Sequence, residues 1–342
     1  MALSQLETYL ERLRQVPFVR SVVVAKHQAK VGHEQVDALL TIKTPTSSER
    51  LYCEIKTSNM SNAMAAQAIA LARTFKPLLV AAPIIGGGAG DFLAAHEVSF
   101  VDLRGNCYLD LGGRYVARIQ GQRGDRPAAA KALRTPSYHV LFAVLADPSM
   151  ISAPVRALAA AAGVSRQPAV TLRGRLEELG HIVRTKTGYT WTPMGARRAL
   201  DLWLAGYATT VRPSLLLGSL RTEDVDPTAL EARLAPILDK RSAWRWGGGA
   251  AAHRLTGYFR GEKTIVHVAE ESPDLLKHLR AVPDRNGPLV IMRSPGPAGL
   301  KGATPDTAHP LLVYTELLTD GTERALEAAQ EIAERFVIGK RP

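Results

Sequence analysis

Apolar residues recur every three to four positions through "LSQLETYLERLRQV", at Leu6, Leu10 and Leu13, and predict an amphipathic opening helix. The period then shortens. "VRSVVVAKHQ", "QVDALLTIKT" and "RLYCEIKT" read as strands, with polar "TPTSSER" as the hairpin loop between the last two. A helix, "NAMAAQAIALARTF", and an apolar strand, "KPLLVAAPII", come next. After a glycine-rich loop there follow a short helix, "DFLAAHEV", and two strands, "SFVDL" and "CYLDL", joined by Arg104, Gly105 and Asn106. This order predicts a mixed α/β domain over residues 1–125.

Residues 126–135 lie in the linker-like stretch "GQRGDRPAAAKALRTPS". Over residues 136–207 the pattern is helical and then briefly β: "SYHVLFAVLAD", "APVRALAAAAG" and "SRQPAVTLRGRLEELG", followed by a hairpin, "HIVRTKTGYTWT", and a helix started by Thr192-Pro193. Three helices and a β-hairpin in that order predict a winged helix-turn-helix. Residues 213–342 alternate helix-like and strand-like runs, among them "DPTALEARLAPILDK", "WGGGAAAHRLTGYF", "KTIVHVA", "SPDLLKHLRAV", "PLVIMR", "HPLLVYTELLTD" and "TERALEAAQEIAERFV". They predict a further α/β domain, so three domains are expected.

Charge sharpens the middle segment. Residues 1–130 hold 15 Lys+Arg against 11 Asp+Glu, residues 131–220 hold 11 against 4, and residues 221–342 hold 17 of each. Most of the net +11 therefore falls on residues 131–220, the footprint of a polyanion-binding segment. On its third helix Ser165, Arg166, Gln167 and Thr171 are placed to meet base edges, with Arg173 and Arg175 further along, while Val170, Leu172, Leu176 and Leu179 are expected to face the core. Arg184 and Lys186 on the wing, and Arg156 on the preceding helix, are candidates for phosphate contacts. Double-stranded DNA is the partner this predicts; a protein-binding winged helix is the alternative.

The first segment raises a second chemistry. In "LYCEIKTSN", strand alternation sends Cys53 and Ile55 to one face and Glu54 and Lys56 to the other. The acid and base are either an ion pair on a solvated face or part of a metal site. Asp37, on the neighbouring strand, brings a second carboxylate, and two carboxylates can hold a Mg2+ that activates water against a phosphodiester, with the lysine stabilising developing charge. The spacing Asp-x16-Glu-x-Lys, with a helix on either side, resembles the PD-(D/E)XK phosphodiesterase fold. That resemblance implies a metal-dependent endonuclease with Asp37 and Glu54 as metal ligands, Lys56 and Gln67 as further site residues, and Glu7 or Glu11 as a third carboxylate. The glycines of "IIGGGAGDF" lack both the Gly-Lys-Ser/Thr ending and the GxGxxG spacing of phosphate loops, and read as a plain loop.

"WRWGGGAAAHRLTGYF" opens like the glycine motif of nucleotidyltransferase folds, but His267 stands where a metal-binding acid is wanted, and Asp224 and Asp226 precede the glycines. A binding or scaffold role is expected, with His253 and His267 as packed or surface residues. Taken together, "FVDLRGNCYLDL", the winged helix followed by "YTWTPMG", "WGGGAAAHRLTGYF" and "HPLLVYTELLTDGTERALEAAQEIAERF" resemble the AbiEi-type antitoxins and transcriptional regulators of type IV toxin–antitoxin systems. The resemblance implies a DNA-binding regulator, or an antitoxin acting by contact with a toxin encoded nearby. The better-known members carry the winged helix at the amino terminus, whereas here an α/β domain precedes it.

Cys53 and Cys107 lack metal-ligand spacing and read as reduced core residues. The charged amino terminus is unlike a signal peptide, and the longest apolar run is broken by proline and glycine. A cytoplasmic protein, with homodimerisation open, is the expectation.

Overall fold

A computed structural model describes residues 2–32, 34–122, 133–224, 226–239, 243–270 and 281–338. The chain is of the α/β class and divides into two compact units, Met1–Lys131 and Ala132–Pro342. The expected linker falls largely on 123–132, outside the described residues.

In the first unit, helix α1 (Ala2–Arg14) precedes strands β1 (Ser21–Val31), β2 (Glu34–Lys43) and β3 (Ser48–Ile55). Helix α2 (Asn62–Leu71), β4 (Leu78–Ala82) and α3 (Gly87–Ala95) follow, then β5 (Ser99–Asp102), β6 (Cys107–Leu111) and β7 (Tyr115–Ile119). All seven strands form one sheet in chain order. The β3–β4 and β4–β5 pairs are parallel because α2 and α3 cross between them, and the other neighbours are antiparallel. Leu6, Tyr9, Leu10 and Leu13 bury the stripe of α1 in a core with Ala38, Leu40, Leu51, Cys53, Ile55, Leu79, Val101 and Cys107. Burial there pushes the Cys107 thiol up to about 11 and raises Cys53 as well, so both stand as inert core thiols.

Two expectations change here. The glycines read as a plain loop form the first turn of α3, and Gly90 is required because a Cβ there would stand 2.9 Å from Phe100 Cζ. Strand β7, not foreseen, extends the β5–β6 hairpin and pairs Cys107 with Ile119.

The turn between β5 and β6 is built by Asp102. Its Oδ1 accepts from the Arg104 and Asn106 amides at 2.9 Å, and its Oδ2 from Asn106 Nδ2 at 2.8 Å and the Ile85 amide at 3.2 Å. Gly105 takes φ +90°, where a side chain would be strained.

The second unit holds α4 (Thr135–Ala146), a 3-10 turn (Pro148–Ser152), α5 (Val155–Ala161), α6 (Arg166–Glu178), β8 (Ile182–Thr185), β9 (Gly188–Trp191) and α7 (Gly195–Gly206). That is the predicted order of a winged helix. Beyond it stand α8 (Arg212–Leu215), β10 (Leu216–Arg221), α9 (Pro227–Leu238), β11 (Trp244–Gly247), α10 (Gly248–Thr256), β12 (Thr264–Val268), β13 (Val282–Pro283), β14 (Leu289–Arg293), α11 (Pro310–Asp320) and α12 (Glu323–Ile332). Their five strands form a sheet of order β11-β12-β14-β10-β13, parallel only between β12 and β14. Strand β10 was not foreseen, and the expected helix "SPDLLKHLRAV" lies almost wholly outside the described residues.

The winged helix and the segment after it were expected as separate domains, yet they share one core. Trp203 Nε1 donates to Thr315 Oγ1 at 2.9 Å, the Tyr207 hydroxyl to Glu316 Oε1 at 3.3 Å, and the Phe142 ring meets that of His309 edge-on. Glu316 Oε1 also lies 2.7 Å from His267 Nε2, and its Oε2 accepts the Gly248 amide at 2.6 Å. A Cβ on Gly247 would press within 2.8 Å of both His267 and Glu316, which accounts for glycine there.

Replacing Asp102 with alanine strands three buried donors, the Ile85 amide and the amide and Nδ2 of Asn106, each costing about 1–3 kcal/mol, and leaves the part-buried Arg104 amide unpaired as well. Urea unfolding of Asp102→Ala is expected to show a loss of at least about 3 kcal/mol.

Candidate functional site

Two groups of side chains carry chemistry, one in each unit. In the first, strand alternation places Glu54 and Lys56 on the face of β3 opposite Cys53, as expected, but that face is covered. Both are 1% exposed. Lys56 Nζ donates to Glu54 Oε1 at 3.3 Å and to Gln67 Oε1 of α2 at 3.1 Å, so the helix closes over the pair. The β2–β3 pairing ends at Ala38 opposite Cys53, and Asp37 Oδ2 extends it by accepting the Ile55 amide at 2.8 Å. Glu54, Lys56 and Gln67 are thus bonded together, the first two buried and Gln67 half-buried, while the half-buried Asp37 bonds the Ile55 backbone on the adjoining strand.

The third carboxylate does not join them. Helix α1 packs on the Cys53 side of the sheet, where Glu7 pairs with Arg14 at 2.6 Å and Glu11 is exposed. Among the described residues no three acidic, histidine or cysteine side chains form a group that could hold a metal. The residues present do not fit a hydrated Mg2+, which keeps several waters. Glu54 presents no surface for them, and one oxygen of each carboxylate is engaged by Lys56 or the backbone. The cluster is a polar clamp between sheet and helix.

In the second unit, α6 lays Ala169, Leu172 and Leu176 into the core. Ser165, Arg166, Gln167 and Thr171 stand exposed at its amino-terminal half, where they were expected. Val170 was expected in the core and is instead 49% exposed, beside Arg166 and Gln167, and Leu179 is half-buried. One helical step from Ala169 carries Val170 off the buried stripe and onto the outer face.

Arg173 and Arg175 also differ from expectation. Arg173 donates to the Ala153 carbonyl at 2.6 Å and stacks over the Tyr189 ring at 5.0 Å, tying α6 to the wing and to the start of α5. Arg175 pairs with Glu178 at 3.1 Å along its own helix. Neither is presented as Arg166 is. Arg156, Arg184 and Lys186 are exposed.

The wing is held at its base. Trp191 Nε1 donates to the Pro148 carbonyl at 3.1 Å, Ser152 exchanges hydrogen bonds with the Tyr189 backbone, and Thr192 donates to the His181 carbonyl through both N–H and hydroxyl. A Cβ on Gly195 would overlap that carbonyl, so the glycine of "TPMG" lets α7 approach the wing. His181 is buried below it, and burial, with Arg198 and Arg175 nearby, lowers its imidazole to about 4. Nothing local in the sequence marks Arg173 for this contact, because only the hairpin geometry brings Tyr189 under it.

Residues 194–338 match the family model described as transcriptional regulator, AbiEi antitoxin, type IV TA system. The match runs from α7 through α12 and bears out the resemblance over that segment. No curated protein and no solved structure matches the chain. Among the described residues no helix is long and apolar enough to cross a membrane.

Removing one partner of the buried pair leaves an uncompensated charge, at about 3–5 kcal/mol, whereas removing both costs less. Chemical denaturation is expected to rank Lys56→Met well below wild type and the Glu54→Gln/Lys56→Met double variant between them. A depressed histidine stabilises above its unfolded value and loses that contribution as pH falls. The protein is therefore expected to be about 2 kcal/mol less stable at pH 4.5 than at pH 7 through His181, a difference that His181→Leu removes from the unfolding curves.

Proposed function

We propose that the chain is a transcriptional regulator that reads double-stranded DNA with α6 in the major groove and the wing on the adjacent backbone. The observation that carries this reading is the surface of α6. Arg166, Gln167 and Thr171 point outward from a helix whose other face is locked into a core, and Arg156, Arg184 and Lys186 flank it exposed. Arginine and glutamine make paired hydrogen bonds to guanine and adenine edges, and flanking cations meet phosphates. The charge excess of residues 131–220 and the family matched by residues 194–338 support the same role. That family's description also includes an antitoxin, which would add a toxin protein as partner. The regulator is the reading that the α6 face supports.

For the first unit we infer a scaffold rather than a nuclease, supported by the burial of Glu54 and Lys56 and their engagement with Gln67.

In fluorescence anisotropy with a selected duplex, Arg166→Ala/Gln167→Ala is expected to lose at least about tenfold in specific affinity and leave nonspecific binding little changed. Arg184→Ala/Lys186→Ala is expected to weaken binding to all sequences and to flatten the salt dependence by about two phosphate contacts. Unchanged affinity and salt slope in both variants would remove α6 and the wing from the interface. With plasmid DNA and Mg2+ or Mn2+, wild type is expected to leave the DNA intact, and metal-dependent nicking abolished by Glu54→Ala would overturn the scaffold reading.

A further inference from the structure

The outer face of α6 holds two residues that its own fold does not explain. Val170 is a β-branched apolar side chain standing 49% exposed on a helix, although Ala169, Leu172 and Leu176 already supply the buried stripe. Gly174, one turn further on, is an exposed glycine inside a helix, where it costs about 1 kcal/mol relative to alanine. Neither of the usual reasons for a helical glycine holds. A Cβ at Gly174 would meet nothing within 4 Å, and its φ is not positive. The two lie four residues apart and so stack on one face. Arg166 and Gln167 stand four and three residues before Val170 on that face, and Thr171 adjoins it.

We infer that Val170 and Gly174 form the apolar part of the DNA-reading surface, with Val170 packing on the C5-methyl of a thymine and Gly174 letting the helix backbone sit close against the groove. This rests on the reading of α6 as the DNA-facing helix. In the major groove thymine alone presents a methyl group, and an apolar side chain is the group that selects it. A polar contact from Arg166 or Gln167 at one base step, followed by a methyl contact from Val170, gives the protein a preference for thymine next to the base those residues read. Arg173 and Arg175 would obstruct such an approach if they projected outward, but they are held by Ala153, Tyr189 and Glu178. The strip between Arg166 and the carboxy-terminal half of the helix therefore carries no long side chain at Val170 or Gly174.

The experiment selects a binding site for the full-length protein from a pool of random duplexes, then resynthesises it with each thymine replaced in turn by uracil, which removes only the methyl. One replacement is expected to weaken wild-type binding about three- to fivefold, the effect of one buried methyl, and to have little effect on Val170→Ala. Val170→Ile is expected to keep the sensitivity. Gly174→Ala is expected to raise the melting temperature by about 2–4 °C while lowering DNA affinity, opposite signs that a purely structural glycine would not give. The inference is overturned if uracil costs the same in wild type and Val170→Ala, if no thymine lies where α6 reads, or if Gly174→Ala binds as tightly as wild type. A pool that yields no enriched duplex overturns the DNA-reading assignment itself, and this inference with it.

Discussion

The second unit is organised around one buried carboxylate. Glu316 is 4% exposed, and an anion so placed must be met by donors on every side. It meets the His267 ring from β12, the Gly248 amide at the start of α10, and the Tyr207 hydroxyl from the turn that continues α7. The carboxylate raises the Tyr207 phenol further beyond what burial alone does, so the tyrosine stays a donor. Three segments far apart in sequence converge on a single side chain of α11. The glycines of "WGGG" follow from this geometry. Gly247 has no Cβ because His267 and Glu316 fill the space, and Gly249 has none because the Arg260 carbonyl stands there. Where a nucleotidyltransferase would put metal-binding acids, this strand puts a histidine that faces a glutamate.

The first unit solves a similar problem with Glu54 and Lys56, but the outcome is closed rather than convergent. The ion pair is capped by Gln67, and Asp37 serves the end of the β2–β3 ladder. Such a pair contributes little net stability, because desolvating two charges offsets most of their attraction. Its effect is specificity of pairing: breaking either half leaves a charge with no solvent to receive it. Asp102 acts the same way on the opposite side of the sheet centre, where one carboxylate orders a turn of four residues.

How much of this was legible follows from the range over which each feature is determined. The three helices and hairpin of residues 135–191, and the shared face of Glu54 and Lys56, follow from local period and strand alternation, and both were readable. Burial of the Glu54 face was not, because it depends on where α2 lands. Val170 was misplaced because Val170, Leu172 and Leu176 look alike in a hydropathy pattern, and only the position of Ala169 on the buried stripe shows which are core. Arg173 reads as one more cation until Tyr189 is brought beneath it by the wing. Strand β7 alternates half-buried and exposed residues, and β10 follows a helical turn without a break, so neither carries the isolated apolar run that marks a strand.

The family match takes in most of the core of the second unit but not all of it. It begins at Met194, inside the winged helix, rather than at the end of that fold. Met194 is the cap residue before α7, and α7 with the turn that continues it carries Trp203 and Tyr207, which bond to Thr315 and Glu316. The aromatic rings of Phe142, Trp203 and Tyr207 meet in succession at tilted angles, so the helix that closes the winged helix is also a wall of the core behind it. That core reaches back through α7 and, by way of Phe142, to α4 as well. On the other side of Met194 lie α6 and the wing, whose outward residues answer to whatever they contact and not to the core. The match and the shared core therefore overlap through α7 without coinciding, because Phe142 brings α4 into that core from outside the matched residues.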